Sequence, residues 1–237
     1  MSRVTYNAGN MTITVAGIKD VERRLGKLKS KAPAAMKFAI NATARKTRKL
    51  MLAKAKARYA VNSKGEQHID DLAQKRKAKN SSLLAVLHIA SRDIDLAYFD
   101  HSPTQVFSGK EVLSRAPEVV RARVLKSSPM KSLDAGTRDT DDGPVEVGKG
   151  FLAKFASGHT GMVLRQIGSS SPNTRTSKGY PRWTSKDGNV ELLQTAYAPS
   201  GPAMHNTIWP EVVPSASQIL QEQLDHRIEM LLAKRSK

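Results

Sequence analysis

The chain has 237 residues, with 39 Lys+Arg against 21 Asp+Glu, no cysteine and an aromatic content of 5%. That length allows one domain or two with a modest core, and the absence of cysteine excludes disulfide scaffolds, thiolate zinc sites, iron–sulfur clusters and thiol nucleophiles. A formal net charge of +18 favours polyanionic partners such as nucleic acid, an acidic protein surface or a headgroup layer. A mean hydropathy of −0.44 and the lack of any apolar run of ~18 to 20 residues lead to the expectation of a soluble protein with no membrane span. The first ten residues carry no apolar h-region of a secretory signal, which points to the cytoplasm.

The charge is uneven. Residues 1–79 hold 20 Lys+Arg and 5 Asp+Glu, a formal +15, whereas residues 80–237 hold 19 and 16, a formal +3. The sequence therefore divides into a basic N-terminal helical region, 1–79, and a sheet plus C-terminal helix, 80–237, expected to form one compact domain with the long helix.

In chain order, residues 11–15 alternate as a strand does, and Ile18, Val21, Leu25 and Leu28 recur at helical spacing across 18–29. Residues 33–59 read as one long helix of about 40 Å, at ~1.5 Å per residue, with Pro33 in its first turn and no internal Gly or Pro. Met36, Ile40, Thr43, Thr47, Leu50 and Met51 make a narrow packing stripe, and Phe38, off the stripe, hints at a second contact. Lys37, Arg45, Lys46, Arg48, Lys49 and Lys56 fall around the opposite side and form a candidate polyanion or subunit interface. The cationic face fits phosphate contact, but a charge run without interleaved aromatics or a recognised binding motif fits a solvated or inter-subunit face better. With Tyr59 the only aromatic residue nearby besides Phe38, base stacking has little to use.

Residues 83–90 form a short apolar run that suits a buried strand or, at that length, a helix, ended by a turn at Ser91-Arg92-Asp93, and 118–126 alternate as a half-exposed strand. Residues 151–156 and 162–167 make two more strands joined by Ser157-Gly158-His159-Thr160-Gly161 as a hairpin. Between the strands at 118–126 and 151–156, residues 134–150 are acidic and Gly-rich; their spacing fails as a calcium loop and suits an exposed hairpin arm or a mobile loop. Residues 168–189 form a second long loop, anchored near Tyr180 and Trp183. Ser215 is the expected N-cap of a C-terminal amphipathic helix of about five turns, at ~3.6 residues per turn. The fold class is α+β: a long N-terminal helix and a C-terminal helix packed on a small, mainly antiparallel sheet of three to four strands.

No nucleophile elbow, phosphate-cradling loop, dinucleotide fingerprint or metalloprotease helix occurs. His159 reads as a turn residue and His88 as a satisfied strand residue. His101, His205 and His226 have no evident partner, and Asp93 with Asp95 suits a solvated turn. No catalytic, cofactor-binding or metal-ligating set is expected, and no enzyme.

The order of these segments carries a resemblance. Asn41-Ala42-Thr43-Ala44-Arg45 in the long helix, then 83–89, then Arg92-Asp93-Ile94-Asp95-Leu96 running into Phe99, then 119–126, then Gly150-Phe151-Leu152-Ala153 and Ser157-Gly158-His159-Thr160-Gly161 followed by Arg165, resembles the minor tail protein Z family of lambda-like phages. Ala198-Pro199-Ser200-Gly201-Pro202-Ala203-Met204 is similar to the segment preceding the final helix in these and related head–tail connector proteins. The acidic insertion at 134–150 departs from the family pattern. The resemblance implies a non-enzymatic tail component acting in tail completion and head–tail joining at the head-proximal end, as a homo-hexameric ring. Its partners would be other tail and neck proteins, with contact to phage DNA and neither membrane nor small-molecule substrate. It would reside in the virion tail, and in the host cytoplasm during assembly. The alternative is a nucleic-acid-binding protein using the basic helix 33–59.

Overall fold

The computed structural model describes the chain except residues 1, 8–9, 16, 91–92, 109–118, 141–142, 156, 168–173, 176, 178, 180–191 and 235–237. Tyr180, Trp183 and most of the second loop therefore lie outside the described residues, as does most of the turn at 91–93. The architecture is α+β, with a long N-terminal helix, a C-terminal helix and largely antiparallel sheets. The chain separates into two compact units. Unit 1 comprises 1–57, 67–92 and 199–237, and unit 2 comprises 58–66 and 93–198.

This division does not follow the 1–79 and 80–237 segments, because packing joins the last helix to the first strands. It does keep the charge asymmetry. Unit 1 holds 23 Lys+Arg and 8 Asp+Glu, a formal +15, and unit 2 holds 16 and 13, a formal +3.

Unit 1 begins with strands β1, Ser2–Asn7, and β2, Asn10–Val15, then helix α1, Ile18–Leu25, and a 3-10 stretch Gly26–Lys31. Helix α2 runs Ala32–Arg58, within a residue or so of the expected bounds at each end. Helix α3, Ser63–Asp70, leads into β3, Leu72–Arg76, and β4, Leu84–Ile89. The four strands form an antiparallel sheet in the order β1-β2-β4-β3. Strict alternation on β4 buries Ala85, Leu87 and Ile89, and Met11 and Ile13 of β2 are buried too. From α2 come Met36, Ile40, Thr43, Thr47 and Met51 as expected, with Leu50 only half-buried; Ala32, Ala35, Ala39, Ala44 and Ala55 complete a wide face of small side chains.

Helix α4 is the main departure from expectation. It spans Gly201–Ala233, 33 residues, and begins fourteen residues before the Ser215 predicted as N-cap. The observed cap is Ser200, whose Oγ accepts from the Ala203 amide at 3.4 Å, with Pro202 in the first turn. Pro210 and Pro214 lie inside the helix. Each lacks an amide and crowds the preceding turn, at a cost of about 3 kcal/mol or more. Burial of Met204, Ile208, Trp209 and Val212 around them offsets that cost, a tertiary override of local propensity. α4 packs on β1 and α1, and Arg24 of α1 pairs with its Asp225 at 2.6 Å. Two contacts make α2 and α4 antiparallel neighbours: Lys54 meets Glu211 at 3.1 Å, and the Arg227 guanidinium lies 4.3 Å from the Phe38 ring centroid. The second contact expected for Phe38 is thus a cation–π pair with α4.

Unit 2 is mostly strands. Short segments β5, Ile94–Asp95, β6, Asp100–Ser102, and β7, Phe107–Ser108, precede β8, Arg121–Arg123, and β9, Lys131–Ser132. The acidic insertion is an antiparallel hairpin of β10, Gly136–Thr140, and β11, Gly143–Val147, as the hairpin-arm expectation had it. The hairpin β12, Phe151–Lys154, and β13, Thr160–Arg165, turns at Gly158, whose φ of 83° lies in the left-handed region. With β14, Leu193–Thr195, and β7 it forms the sheet β14-β13-β12-β7, and β15, Tyr197–Ala198, pairs with β5. Residues 161–164 of β13 are all buried, because both faces of this sheet are covered. Leu152 and Met162 pack with Ala97, Val120 and Ala122, while Phe151, Ala153 and Val163 pack with Phe155 and Leu193.

Ile40 is fully buried in the α2 face. Ile40→Ala is expected to cost about 2–5 kcal/mol in urea unfolding followed by helical circular dichroism. Leu50→Ala, at a half-exposed position, should cost clearly less.

Candidate polyanion and subunit interface

The six cations predicted on α2 do not form one free face. Arg48 turns inward: its Nε donates to the main-chain oxygen of Leu72 and its Nη2 to that of Asp70 at 3.1 Å. Lys56 pairs with the Asp70 carboxylate at 3.2 Å. Lys37 is half-buried, its ammonium 4.9 Å from the Phe38 ring centroid. Arg45, Lys46 and Lys49 are exposed. Tyr59 is buried at 4% exposure and therefore offers no stacking surface.

What the sequence did not disclose is the strand laid along this helix. Asn41 brackets Ala78: its Nδ2 donates to the Ala78 oxygen at 3.0 Å and its Oδ1 accepts from the Ala78 amide at 2.9 Å. The same Oδ1 accepts from Gln74 Nε2 at 3.4 Å. Asn41 and Arg48, two turns apart, thus hold both ends of the segment 70–78 against α2. That segment carries Lys75, Arg76 and Lys77, with Lys79 following, and all four are exposed. The signal for them was composition alone, a run of cations within the basic region 1–79.

In unit 2 the expectation of a solvated turn at Asp93 and Asp95 holds for Asp93 only, which is exposed. Asp95 is 5% exposed, because its carboxylate replaces missing main-chain partners. Its Oδ1 accepts from the amides of Ala97 and Met162, both at 2.9 Å, tying the 3-10 turn Leu96–Tyr98 to β13. Its Oδ2 lies 3.4 Å from His159 Nε2. The His159 ring stacks on Phe155 and meets Tyr98 edge-on. Burial, and secondarily the Asp95 charge, raise the Tyr98 pKa above its ordinary 10, so the phenol stays neutral at physiological pH. With one carboxylate oxygen committed to two amides, Asp95 acts as a clamp between segments. A recess of about 310 Å3 opens near the turn, lined by Asn62, Ser63, Lys64, Tyr98, His101 and Thr160, and neither Asp95 nor His159 is on its wall.

Three further histidines, His88, His101 and His205, are structural in setting. His88 Nδ1 meets Asn10 Oδ1 at 2.9 Å, the satisfied strand residue expected, and His101 Nδ1 donates to the Phe99 oxygen at 2.7 Å. His205 is buried at 1% exposure, its Nε2 donating to the Ile69 oxygen at 3.3 Å. Among the described residues its Nδ1 has no hydrogen-bond partner. No group of three or more metal-ligating side chains occurs among the described residues. Comparison with family models, with curated proteins and with solved structures finds no match to this chain.

Asp95→Ala should leave two buried amides bare and cost about 1–3 kcal/mol for each in urea unfolding, whereas Asp95→Asn, which keeps an acceptor oxygen, should cost less. At Gly161 a Cβ would stand 2.6 Å from Asp95 Oδ2, so Gly161→Ala should destabilise the same junction. Desolvation lowers the His205 pKa from its ordinary 6.5, outweighing the opposing hydrogen bond to Ile69. The unfolded chain then binds a proton at this site that the folded chain refuses, so stability is retained above about pH 6.5 and declines as pH falls below it. Urea midpoints measured from pH 7.5 to 5 should show this decline, and His205→Gln should flatten it.

Proposed function

We propose that the chain is a non-enzymatic structural component of a bacteriophage tail, acting in tail completion and head–tail joining at the head-proximal end as a ring of six. The observation that carries this reading is where the residues of the family resemblance fall. Asn41 brackets Ala78, Asp95 clamps a turn to β13, Gly161 gives Asp95 its room, and Ser200 caps α4. Each of these four residues lies in a segment that resembles the minor tail protein Z family, and each joins or caps elements of this fold.

Two further features suit a ring subunit. The sheet β1-β2-β4-β3 ends in two edge strands, of which β3 is guarded by cations. The charge difference between the units gives each copy a basic part that needs complementary neighbours in an assembly. In this reading the partners are copies of the chain and other tail and neck proteins, in the virion and, during assembly, in the host cytoplasm.

Light scattering on the purified protein at low and high salt, without DNA, should give a mass of about six times 25.9 kDa that persists at both. A monomer that also fails to bind purified tails contradicts the proposal.

A further inference from the structure

We infer that α2 and the β3–β4 hairpin together form a binding site for the phosphate backbone of nucleic acid. It is built from Arg45 and Lys49 of the helix and Lys75, Arg76, Lys77 and Lys79 of the hairpin. The site differs from a cationic helix face, since four of its six charges come from a strand and turn and two of the helix cations, Arg48 and Lys56, serve other groups.

The geometry follows from three local devices. The register of β3 on β4 shifts between Gln74 and Arg76, so Lys75 is an extra residue, and a bulge of this kind re-aims side chains. Consequently Lys75, Arg76 and Lys77 are all exposed in succession, while Leu72 and Ala78 on either side are buried. At the hairpin tip Lys79 and Ser82 exchange main-chain hydrogen bonds of 2.9 and 3.1 Å, and Arg76 donates to Ser82 Oγ at 2.9 Å. Asn41 and Arg48 then fix this strand to α2, and Arg45 and Lys49 follow Asn41 by one and two turns on the same side of the helix. Two rows of cations are thereby held side by side before any ligand arrives, next to an open recess of about 550 Å3 bordered by residues 74–77, 79, 81 and 82.

The chemistry of the surface selects the partner. A protein partner would require an apolar centre with aromatic or aliphatic anchors. The exposed large hydrophobic residues of unit 1 among the described residues are Ile18, Phe38, Met230 and Leu232, and Phe38, the one on α2, is overlain by Arg227 and Lys37. The site also has no ring on which a base could stack. Arg and Lys side chains beside the hydroxyls of Ser81 and Ser82 are donors suited to phosphate oxygens, which fix a protein on a duplex without reading sequence. Binding should therefore be insensitive to sequence and steeply dependent on salt.

The test is duplex DNA binding by fluorescence anisotropy across a salt series. If each of the six cations neutralises one phosphate, log K should fall against log salt with a slope of about −5, and the quadruple variant K75Q/R76Q/K77Q/K79Q should flatten it to about −2. R45Q/K49Q should flatten it to about −4. The control K19Q/K27Q/K29Q/K31Q removes as much charge from exposed positions on α1 and the 3-10 stretch and should leave the slope unchanged. Circular dichroism melts verify that each variant is folded. Equal losses in the control, or unchanged slopes in both site variants, overturn the inference. So does aggregation of the strand variant with intact DNA affinity, which would reduce these lysines to edge protection. Polyglutamate competing as well as DNA would overturn it in favour of an acidic protein. The inference stands apart from the ring: a monomer that binds DNA in this way but not purified tails defeats the ring alone, and a hexamer that does not bind DNA defeats this site alone.

Discussion

Unit 1 depends on two side chains of one helix face, Asn41 and Arg48, which hold a cationic strand segment against a cationic helix. Like charges on neighbouring elements repel, and the formal +15 of this unit makes that repulsion a standing cost. Hydrogen bonds to main-chain groups oppose it in a way that exposed ion pairs cannot, because the amide and carbonyl of Ala78 and the carbonyl of Leu72 would otherwise need other partners. The ion pairs Lys56–Asp70, Lys54–Glu211 and Arg24–Asp225 are all partly exposed and each adds little, ~0–1 kcal/mol. Their value is in placement, since they set acidic groups where the basic elements meet.

The same arrangement connects packing to surface. The buried side of α2 is rich in Ala and Thr, which permits close approach of its neighbours, while its flank at Asn41 and Arg48 receives β3. What remains for solvent on that side is Arg45 and Lys49, extended by the bulged strand. Unit 2 uses the same kind of device in Asp95, one buried carboxylate gathering amides from a turn and a strand. In both units a polar side chain on one element completes the main chain of another, which suits short, irregular strands that cannot satisfy one another.

Much of this was legible in the sequence where periodicity is strong. The α2 helix and the 158–159 turn followed from spacing and turn chemistry, a strand at 83–90 and a hairpin arm at 134–150 were each one of two readings, and the alternating burial of β4 was hidden by its continuous apolar run. The start of α4 did not, because two prolines and a Ser-x-x-Gln pattern are a valid local signal for a helix beginning at 215, and burial of Ile208, Trp209 and Val212 overrides it. The fate of Arg48 was equally invisible: a cation on a polar face reads as solvated, and only the long-range approach of Leu72 makes it a donor to the main chain. Asp95 lay in a motif noticed for its spacing, yet its partners, 2 and 67 residues away, divide into one that a local reading can find and one that it cannot.

The central claim, that α2 side chains hold the basic strand in place, is tested most directly by hydrogen exchange across 72–79 in the native protein and in Asn41→Ala. The account predicts that the Ala78 amide, bonded to Asn41, loses protection in the variant while the α2 amides keep theirs. Unchanged protection at Ala78 would contradict it.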